Sequence, residues 1–276
     1  MSGELYVVGT PIGNLGDLSP RAVETLSSCD FIAAEDTRVT LKLLNHFGIK
    51  KPMVSYFEHN KRERGVMITD RILAGESCAI VTDAGMPAIS DPGEDLVALC
   101  HARGIKVNAV PGPSALIAAL ALSGMHTGRF TFEGFLSVNK KSRRDHLESL
   151  KDEKRTMIFY EAPHKLANTL KDLAQAFGDR EVTIVRELTK IHEQVIRTTL
   201  EQAVREYGDG HLKGEIVLIL AGAPEWEQAG MTLEEAAQAA REWMRAGDPP
   251  SLAAKKAAKA SGCAKGEIYK LLQEEE

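Results

Sequence analysis

The 276-residue sequence predicts an α/β protein, with an α/β lobe, an α+β lobe and then a small helical extension. Three observations predict it. Between residues 5 and 123, short apolar runs alternate with helical patterns in five strand–loop–helix units, which suits a parallel sheet with helices on its faces. Between 130 and 221 the strand-like runs crowd together, and two are separated only by 187–192, which suits an α+β lobe with a mixed sheet and an antiparallel pair. Beyond Ala223-Pro224 the apolar residues recur at helical spacing instead. The expected domains are therefore 1–113, 114–223 and 224–276, with the first junction at Pro111-Gly-Pro113.

In the first lobe, residues 5–8 read as a strand that runs into Gly9-Thr-Pro-Ile-Gly-Asn-Leu-Gly-Asp17. The G-x3-G-x2-G spacing is neither the dinucleotide fingerprint nor a phosphate loop, so the loop reads equally as a ligand-facing turn or a tight strand-to-helix connection. Ser19-Pro20 suits the cap and first position of a helix. A second strand, 30–34, ends in Glu35-Asp36-Thr37-Arg38, and its helix is stopped by Gly48. A third, 53–56, ends in Phe57-Glu58-His59-Asn60. The next helix opens on Lys61, Arg62 and Arg64, where the helix dipole disfavours cations. A solvated face is one reading of these three, and a phosphate contact the other. Residues 78–81 form a fourth strand, cut off by Thr82-Asp-Ala-Gly-Met-Pro-Ala-Ile-Ser-Asp-Pro-Gly93 before a helical pattern begins at Glu94. A fifth, 105–110, leads through Pro111-Gly-Pro-Ser114 into the Ala/Leu-rich helix 115–123.

In the second lobe, strands are expected at 130–136, 156–160, 182–186, 194–199 and 215–221, with a helix after Pro163-His164 that reaches Phe177. Residues 138–155 are polar and basic. In the extension, Thr232-Leu-Glu-Glu235 is a capping box ahead of a helix, and Gly247-Asp-Pro-Pro250 breaks the chain. Two further short helices with a turn at Gly262 suit a helix-turn-helix. From 252 to 272 there are five lysines and one glutamate, which serve either solubility or nucleic-acid contact.

Composition narrows the function classes. With 43% hydrophobic and 26% charged residues the chain is globular, and its formal net charge of −5 means that any nucleic-acid contact depends on a local basic face. Four scattered cysteines without a C-x-x-C pattern argue against a disulfide framework or a zinc site. The start lacks the basic and apolar regions of a secretory signal, and the longest apolar run, 115–122, is too short to span a membrane. A cytoplasmic protein is the expectation. No G-x-S-x-G elbow, H-E-x-x-H pair or nucleotide phosphate loop is present. Glycine loops, single carboxylates and proline turns at strand ends describe a cleft for a polar small molecule.

Six motifs in order add more: Tyr6-Val-Val-Gly-Thr-Pro-Ile-Gly-Asn-Leu15, Ala34-Glu-Asp-Thr-Arg38, the 82–93 loop, Val110-Pro-Gly-Pro-Ser-Ala115, Phe159-Tyr-Glu-Ala-Pro-His164 and Arg186-Glu-Leu-Thr-Lys190. From about residue 4 to 222 the chain resembles the bacterial small-subunit ribosomal RNA cytidine-2′-O-methyltransferases, which belong to the tetrapyrrole-methylase superfamily. The tail is similar to the helix-turn-helix-like extension on some of these enzymes.

The resemblance implies a two-domain tetrapyrrole-methylase-like fold, with S-adenosylmethionine folded into the cleft between the domains, a homodimer and no metal. Its implied substrate is a cytidine ribose in the decoding region of 16S rRNA, in a largely assembled small ribosomal subunit.

Carried over by motif, Gly9, Thr10, Pro11, Ile12 and Gly13 line one wall of the donor pocket. Asp83, Ala84 and Gly85, with Pro87 beyond, occupy the superfamily's Gly-Gly-Asp position, from which this sequence departs. Ser114, Ala115, Glu161 and Ala162 match further donor contacts, and Val217 and Leu218 approach the adenine.

The acceptor is a weak nucleophile, so a nearby base or cation would help. Glu35, Asp36 and Arg38 are the catalytic candidates. Each has a plainer reading, Asp36 as a helix cap and Arg38 as the partner of Glu35. His59, Asn60, Lys140, Lys141, Arg143, Arg144, Lys255, Lys256 and Lys265 are the candidates for RNA contact. Two other functions fit less well, namely methylation of a corrinoid, tetrapyrrole or diphthamide-type substrate, and a non-catalytic RNA-binding assembly factor.

Overall fold

The computed structural model describes residues 3–224 and 232–273. It divides into two compact units, one ending at Gly222 and the other beginning at Ala223.

The first unit is built on two five-stranded sheets. In the N-terminal sheet, β1 (Leu5–Val8), β2 (Phe31–Ala34), β3 (Met53–Ser55), β4 (Cys78–Val81) and β5 (Val107–Val110) lie in the order β3-β2-β4-β1-β5, all parallel. Both β2 and β4 are buried along their whole length, which is why they read as unbroken apolar runs.

Alternate residues of these strands serve two different cores. Ile32, Ala34, Ala79 and Val81 pack with Leu26 of α1 (Pro20–Ser28) and Leu44 of α2 (Thr37–His46). Phe31, Ala33, Cys78 and Ile80 pack with Ile68 and Ile72 of α3 (Lys61–Leu73) and Leu96 of α4 (Glu94–Ala102). The period of two thus places α1 and α2 on one face and α3 and α4 on the other. Neighbouring strands β1 and β4 send their helices to opposite faces, so a crevice opens beyond their carboxyl ends.

Several predicted strands are trimmed at their ends, and at two of them the reason is visible. Asp30 belongs to a turn, where its carboxylate accepts bonds from the Ser77 amide and hydroxyl, both at 2.7 Å. Ile105 closes the end of α4 through a 2.9 Å bond to the Cys100 carbonyl.

After α5 (Ala115–Ser123) the second sheet follows, with β6 (Phe130–Phe135), β7 (Thr156–Glu161), β8 (Glu181–Arg186), β9 (Gln194–Thr199) and β10 (Ile216–Leu220) in the order β6-β7-β10-β8-β9. The β6–β7 pair is parallel and the rest antiparallel, including the β8–β9 pair expected from its short connection. The basic stretch after β6 forms α6 (Lys140–Ser149), capped by Asn139. One face of the sheet packs on α7 (Leu166–Phe177) and α8 (Leu200–Tyr207). The other takes Leu116, Ala119 and Leu120 of α5, and into this second core the β1–α1 loop inserts Ile12.

The second unit is a three-helix arrangement of α9 (Leu233–Arg245), α10 (Pro250–Ser261) and α11 (Lys265–Gln273). The Thr232–Glu235 capping box closes α9, and Gly262, at φ 76°, ends α10 in the left-handed conformation. Its core is mostly alanine, with Ile268 and Leu272 filling the remainder.

Gly9 and Gly112 meet where β1 and β5 end. A Cβ on Gly112 would lie 2.8 Å from the Gly9 Cα, and one on Gly9 would lie 2.6 Å from the Gly112 Cα. Gly112→Ala is therefore expected to cost about 1–3 kcal/mol, as overpacking does, and to lower the urea midpoint. An unchanged midpoint would contradict the close approach.

Candidate active site

A cavity of about 380 Å³ lies in the first unit, within the size range of small-molecule sites. Four segments build it: the loop after β4, the start of α5, the end of β7, and the first residues of β10 with Glu215 ahead of them. Ile12, Leu188 and Phe135 complete the wall. The lining is largely apolar, from Met86, Ile89, Ile216 and Val217, and carries the carboxyl groups of Asp91, Glu161 and Glu215. Such a site excludes water from a flat apolar group while meeting polar atoms at a few points.

The loops reach this place through specific bonds. Thr10 and Gly85 exchange backbone bonds at 2.9 and 3.1 Å, and the Thr10 hydroxyl donates to the Thr82 carbonyl at 3.1 Å. The Leu116 amide, in the first turn of α5, donates to the Tyr160 hydroxyl at 3.1 Å. Burial pushes the Tyr160 phenol up from its ordinary value. Glu161 is buried and accepts from the Ala162 amide at 2.8 Å and from the Thr169 hydroxyl.

Of the residues expected at the donor, Ile12, Ala84, Gly85, Ser114, Ala115, Glu161, Ala162 and Val217 line the cavity. The others lie outside its lining. Gly9 serves the close approach to Gly112, Thr10 clamps the two loops, and Gly13 abuts Lys190 and Leu188. Pro11 is half-buried and Pro87 fully so. Leu218 faces away, because it follows Val217 on a strand and sits in the core beneath α7. Asp83 turns to the rim, where it accepts from the Asp36 amide at 3.2 Å. Partial burial and the nearby Glu35 raise its carboxyl above the ordinary range.

The catalytic candidates separate. Asp36 caps α2 through the Arg38 amide at 2.8 Å and holds the Arg38 guanidinium at 2.6 Å, so Arg38 pairs with Asp36 and not with Glu35. Those bonds hold the Asp36 carboxyl down to about 2, which leaves it a feeble base. Arg38 itself is exposed. Glu35 points the other way and accepts from the Thr82 hydroxyl at 2.6 Å. Sequence reasoning assigned no role to Asp91, Tyr160, Met86 or Leu188, although all four stand within the motifs that carried the resemblance.

Among the basic candidates, Lys140, Lys141 and Arg144 are exposed on α6. Arg143 is turned inward, with its guanidinium bonded to Asp172 at 2.5 Å and to the Thr169 hydroxyl at 2.8 Å. It therefore braces the residue that holds Glu161 and is corrected from the RNA-facing set. Asn60 is likewise spent on its own turn, accepting from the Phe57 amide at 2.9 Å and donating to the Ser55 carbonyl at 3.2 Å. His59 is exposed beside Phe57. In the second unit, Lys255, Lys256 and Lys265 are exposed; Lys256 pairs with Asp248 at 2.6 Å and Lys265 bonds Ser251 at 3.1 Å.

Arg143→Ala, which strands Asp172 and Thr169, should cost about 1–3 kcal/mol in chemical denaturation. Arg144→Ala should stay within about 0.5 kcal/mol. Equal effects would contradict the inward placement.

The sequence matches the Tetrapyrrole (Corrin/Porphyrin) Methylases over residues 4–204. A protein of Synechocystis sp. named ribosomal RNA small subunit methyltransferase I is 47% identical over 270 residues, covering 98% of this chain and 97% of that protein. A Bacillus subtilis protein of the same name is 42% identical over 272 residues, 97% of this chain and 93% of its own. A third, from Thermotoga maritima, is 48% identical over 220 residues, 80% of this chain but 99% of its own length. A protein of that name is thus nearly matched in full without about a fifth of the present chain.

Among solved structures, diphthine synthase superposes with a TM-score of 0.61 at 16% identity, over 79% of this chain and 90% of that one. Uroporphyrin-III C-methyl transferase from Thermus thermophilus, complexed with S-adenyl homocysteine, gives 0.57 at 19% identity, over 79% and 97%. These two share the fold. The chain belongs to the tetrapyrrole (corrin/porphyrin) methylase family, within the group of ribosomal RNA small subunit methyltransferases I.

Proposed function

We propose that the protein transfers a methyl group from S-adenosylmethionine to the 2′-oxygen of a cytidine ribose in the decoding region of 16S rRNA. The observation that carries the reading is one cavity formed where turns of both sheets converge, in a chain whose full-length relatives carry the name of a small-subunit ribosomal RNA methyltransferase.

The residues present fit the donor. Apolar walls from Met86, Ile89, Ile216 and Val217 suit a flat adenine, while the Glu161 carboxylate suits a hydroxyl or the amino group. When bound, S-adenosylmethionine supplies a methyl carbon activated by a positive sulfur. The chain's own contribution is positioning. Thr10 and Gly85 fix one wall, the Tyr160–Leu116 bond fixes the start of α5, and Arg143 with Thr169 fixes Glu161. Glu161, with two donors upon it, is a recognition group and not a proton carrier.

For the RNA, the exposed Lys140, Lys141 and Arg144 of α6 form one cationic surface, Arg38 another, and the lysines of the second unit an outrigger. The proposed domains are 1–113, 114–223 and 224–276, the first two lobes forming the catalytic body. We further propose a homodimer working in the cytoplasm on a largely assembled small subunit; among the described residues no helix is long and apolar enough to cross a membrane.

Mapping ribose methylation by mass spectrometry, in RNA from cells with and without the protein, tests the function. Loss of one 2′-O-methylcytidine from 16S rRNA is expected, and an unchanged ribosomal RNA would refute it. Replacing Lys255, Lys256 and Lys265 together by alanine should flatten the salt dependence of RNA binding by about 0.7 in log–log slope for each phosphate these lysines neutralise. An unaltered slope removes the second unit from the RNA interface.

A further inference from the structure

Resting on the methyl-transfer reading, we propose that Asp91 takes the proton from the acceptor hydroxyl, and that Thr82 and Glu35 control its protonation. The carboxylates of the Glu-Asp-Thr-Arg motif are engaged elsewhere, Glu35 by Thr82 and Asp36 by Arg38. The structure places the Asp91 carboxyl on the cavity wall, in the same loop as Thr82, which is bonded to Glu35.

Three observations meet at Asp91. Its position is the first: it lines the cavity, where an acceptor beside the donor would lie. The second is the backbone that presents it. Ala88 at φ 69° and Ser90 at φ 61° are non-glycine residues in the left-handed region, and Gly93 follows at φ 146°. A Cβ on Gly93 would lie 3.0 Å from the Ala88 nitrogen, so the loop closes tightly on itself. Strain of this kind persists where surrounding structure imposes a geometry, and it clusters at functional sites.

The third observation is a shortage of protons. The Thr82 hydroxyl, whose proton would hold the Asp91 carboxyl down, donates it to Glu35 at 2.6 Å. One hydroxyl carries one proton and cannot satisfy two ionised carboxylates at once. Glu35 takes that proton, and the Asp91 carboxyl is left without it. Burial, then the charge of Glu35, push the Asp91 carboxyl up to about 6.

The other titratable groups around Asp91 leave the role to it. Asp83, at the end of β4, adds negative charge from the rim, while Arg38 is held by Asp36. Tyr160, facing from β7, is a phenol already bonded to the Leu116 amide. Glu161 is locked by two donors, and Glu215 lies at the exposed edge.

In the step itself, the 2′-hydroxyl proton passes to the ionised Asp91. An oxygen lone pair forms the bond to the methyl carbon, and the carbon–sulfur bond breaks with its electron pair kept on sulfur. Asp91 then yields the proton to solvent. Because Asp91 must be ionised to accept, the rate should rise with pH through about 6 and level off above it.

Asp91→Asn and Thr82→Val, each checked for thermal unfolding, separate the possibilities. Carbon-13 NMR of the aspartate carboxyls without donor should show one group titrating near 6, absent in Asp91→Asn and displaced in Thr82→Val. Asp91→Asn should bind S-adenosylmethionine within about threefold of wild type, yet transfer in single turnover about 10²–10⁴ times more slowly, without the rise through pH 6. Transfer within about threefold of wild type would overturn the proposal, as would a loss of donor affinity matching the loss of rate, which makes Asp91 a donor-recognition residue. A wild-type protein that methylates no ribosomal RNA would overturn the methyl-transfer reading and the base together. An active wild type with an active Asp91→Asn overturns the base alone.

Discussion

The two backbone bonds between Thr10 and Gly85 hold the site together. They join loops that leave adjacent parallel strands and send their helices to opposite faces of the sheet. Such loops would otherwise splay, since nothing in a parallel ladder extends beyond the strand ends. Once clamped, one loop carries Ile12 into the core of the second sheet, and the other carries residues 84–91 along the cavity wall. Gly9 and Gly112 let the β1 and β5 ends approach within a distance that no side chain would permit. The cavity is thus a consequence of how two strand ends are tied, with the second sheet supplying the opposite wall.

Polar groups around the cavity fall into two kinds. Glu161 is held by two donors, with Thr169 between it and Arg143, and Arg143 anchored in turn on Asp172. A buried carboxylate held by two donors is rigid, and its remaining lone pairs suit recognition. Asp91 is placed differently, because the Thr82 hydroxyl gives its proton to Glu35. A site that combines a carboxylate held by two donors with one placed differently can separate binding from proton handling, although both groups are of the same chemical type.

The N-terminal sheet was legible because β2 and β4 are apolar on both faces and each is bounded by turn residues. The mixed sheet and the capping box of α9 were legible for similar local reasons. What escaped the sequence depends on residues far apart in it. Leu218 could not be told from Val217, because Ile216–Leu220 is apolar throughout and both sheet faces are covered. Arg143 reads like its neighbours on α6 until α7 brings Asp172 against it. Asp91 looks like part of a Ser-Asp-Pro-Gly turn. Only the pairing of β2 beside β4 brings Glu35 to Thr82 and so gives Asp91 its environment. The motifs marked the right loops, and the fold decided which side chains of each loop face inward.

Hydrogen exchange with and without S-adenosylmethionine tests most directly whether the convergent turns are the donor site. Slowed exchange is expected at 84–91, 115–116, 161–162 and 215–217, with little change on α2 or in the second unit. Protection confined to other segments, or none at saturating donor, would contradict that placement.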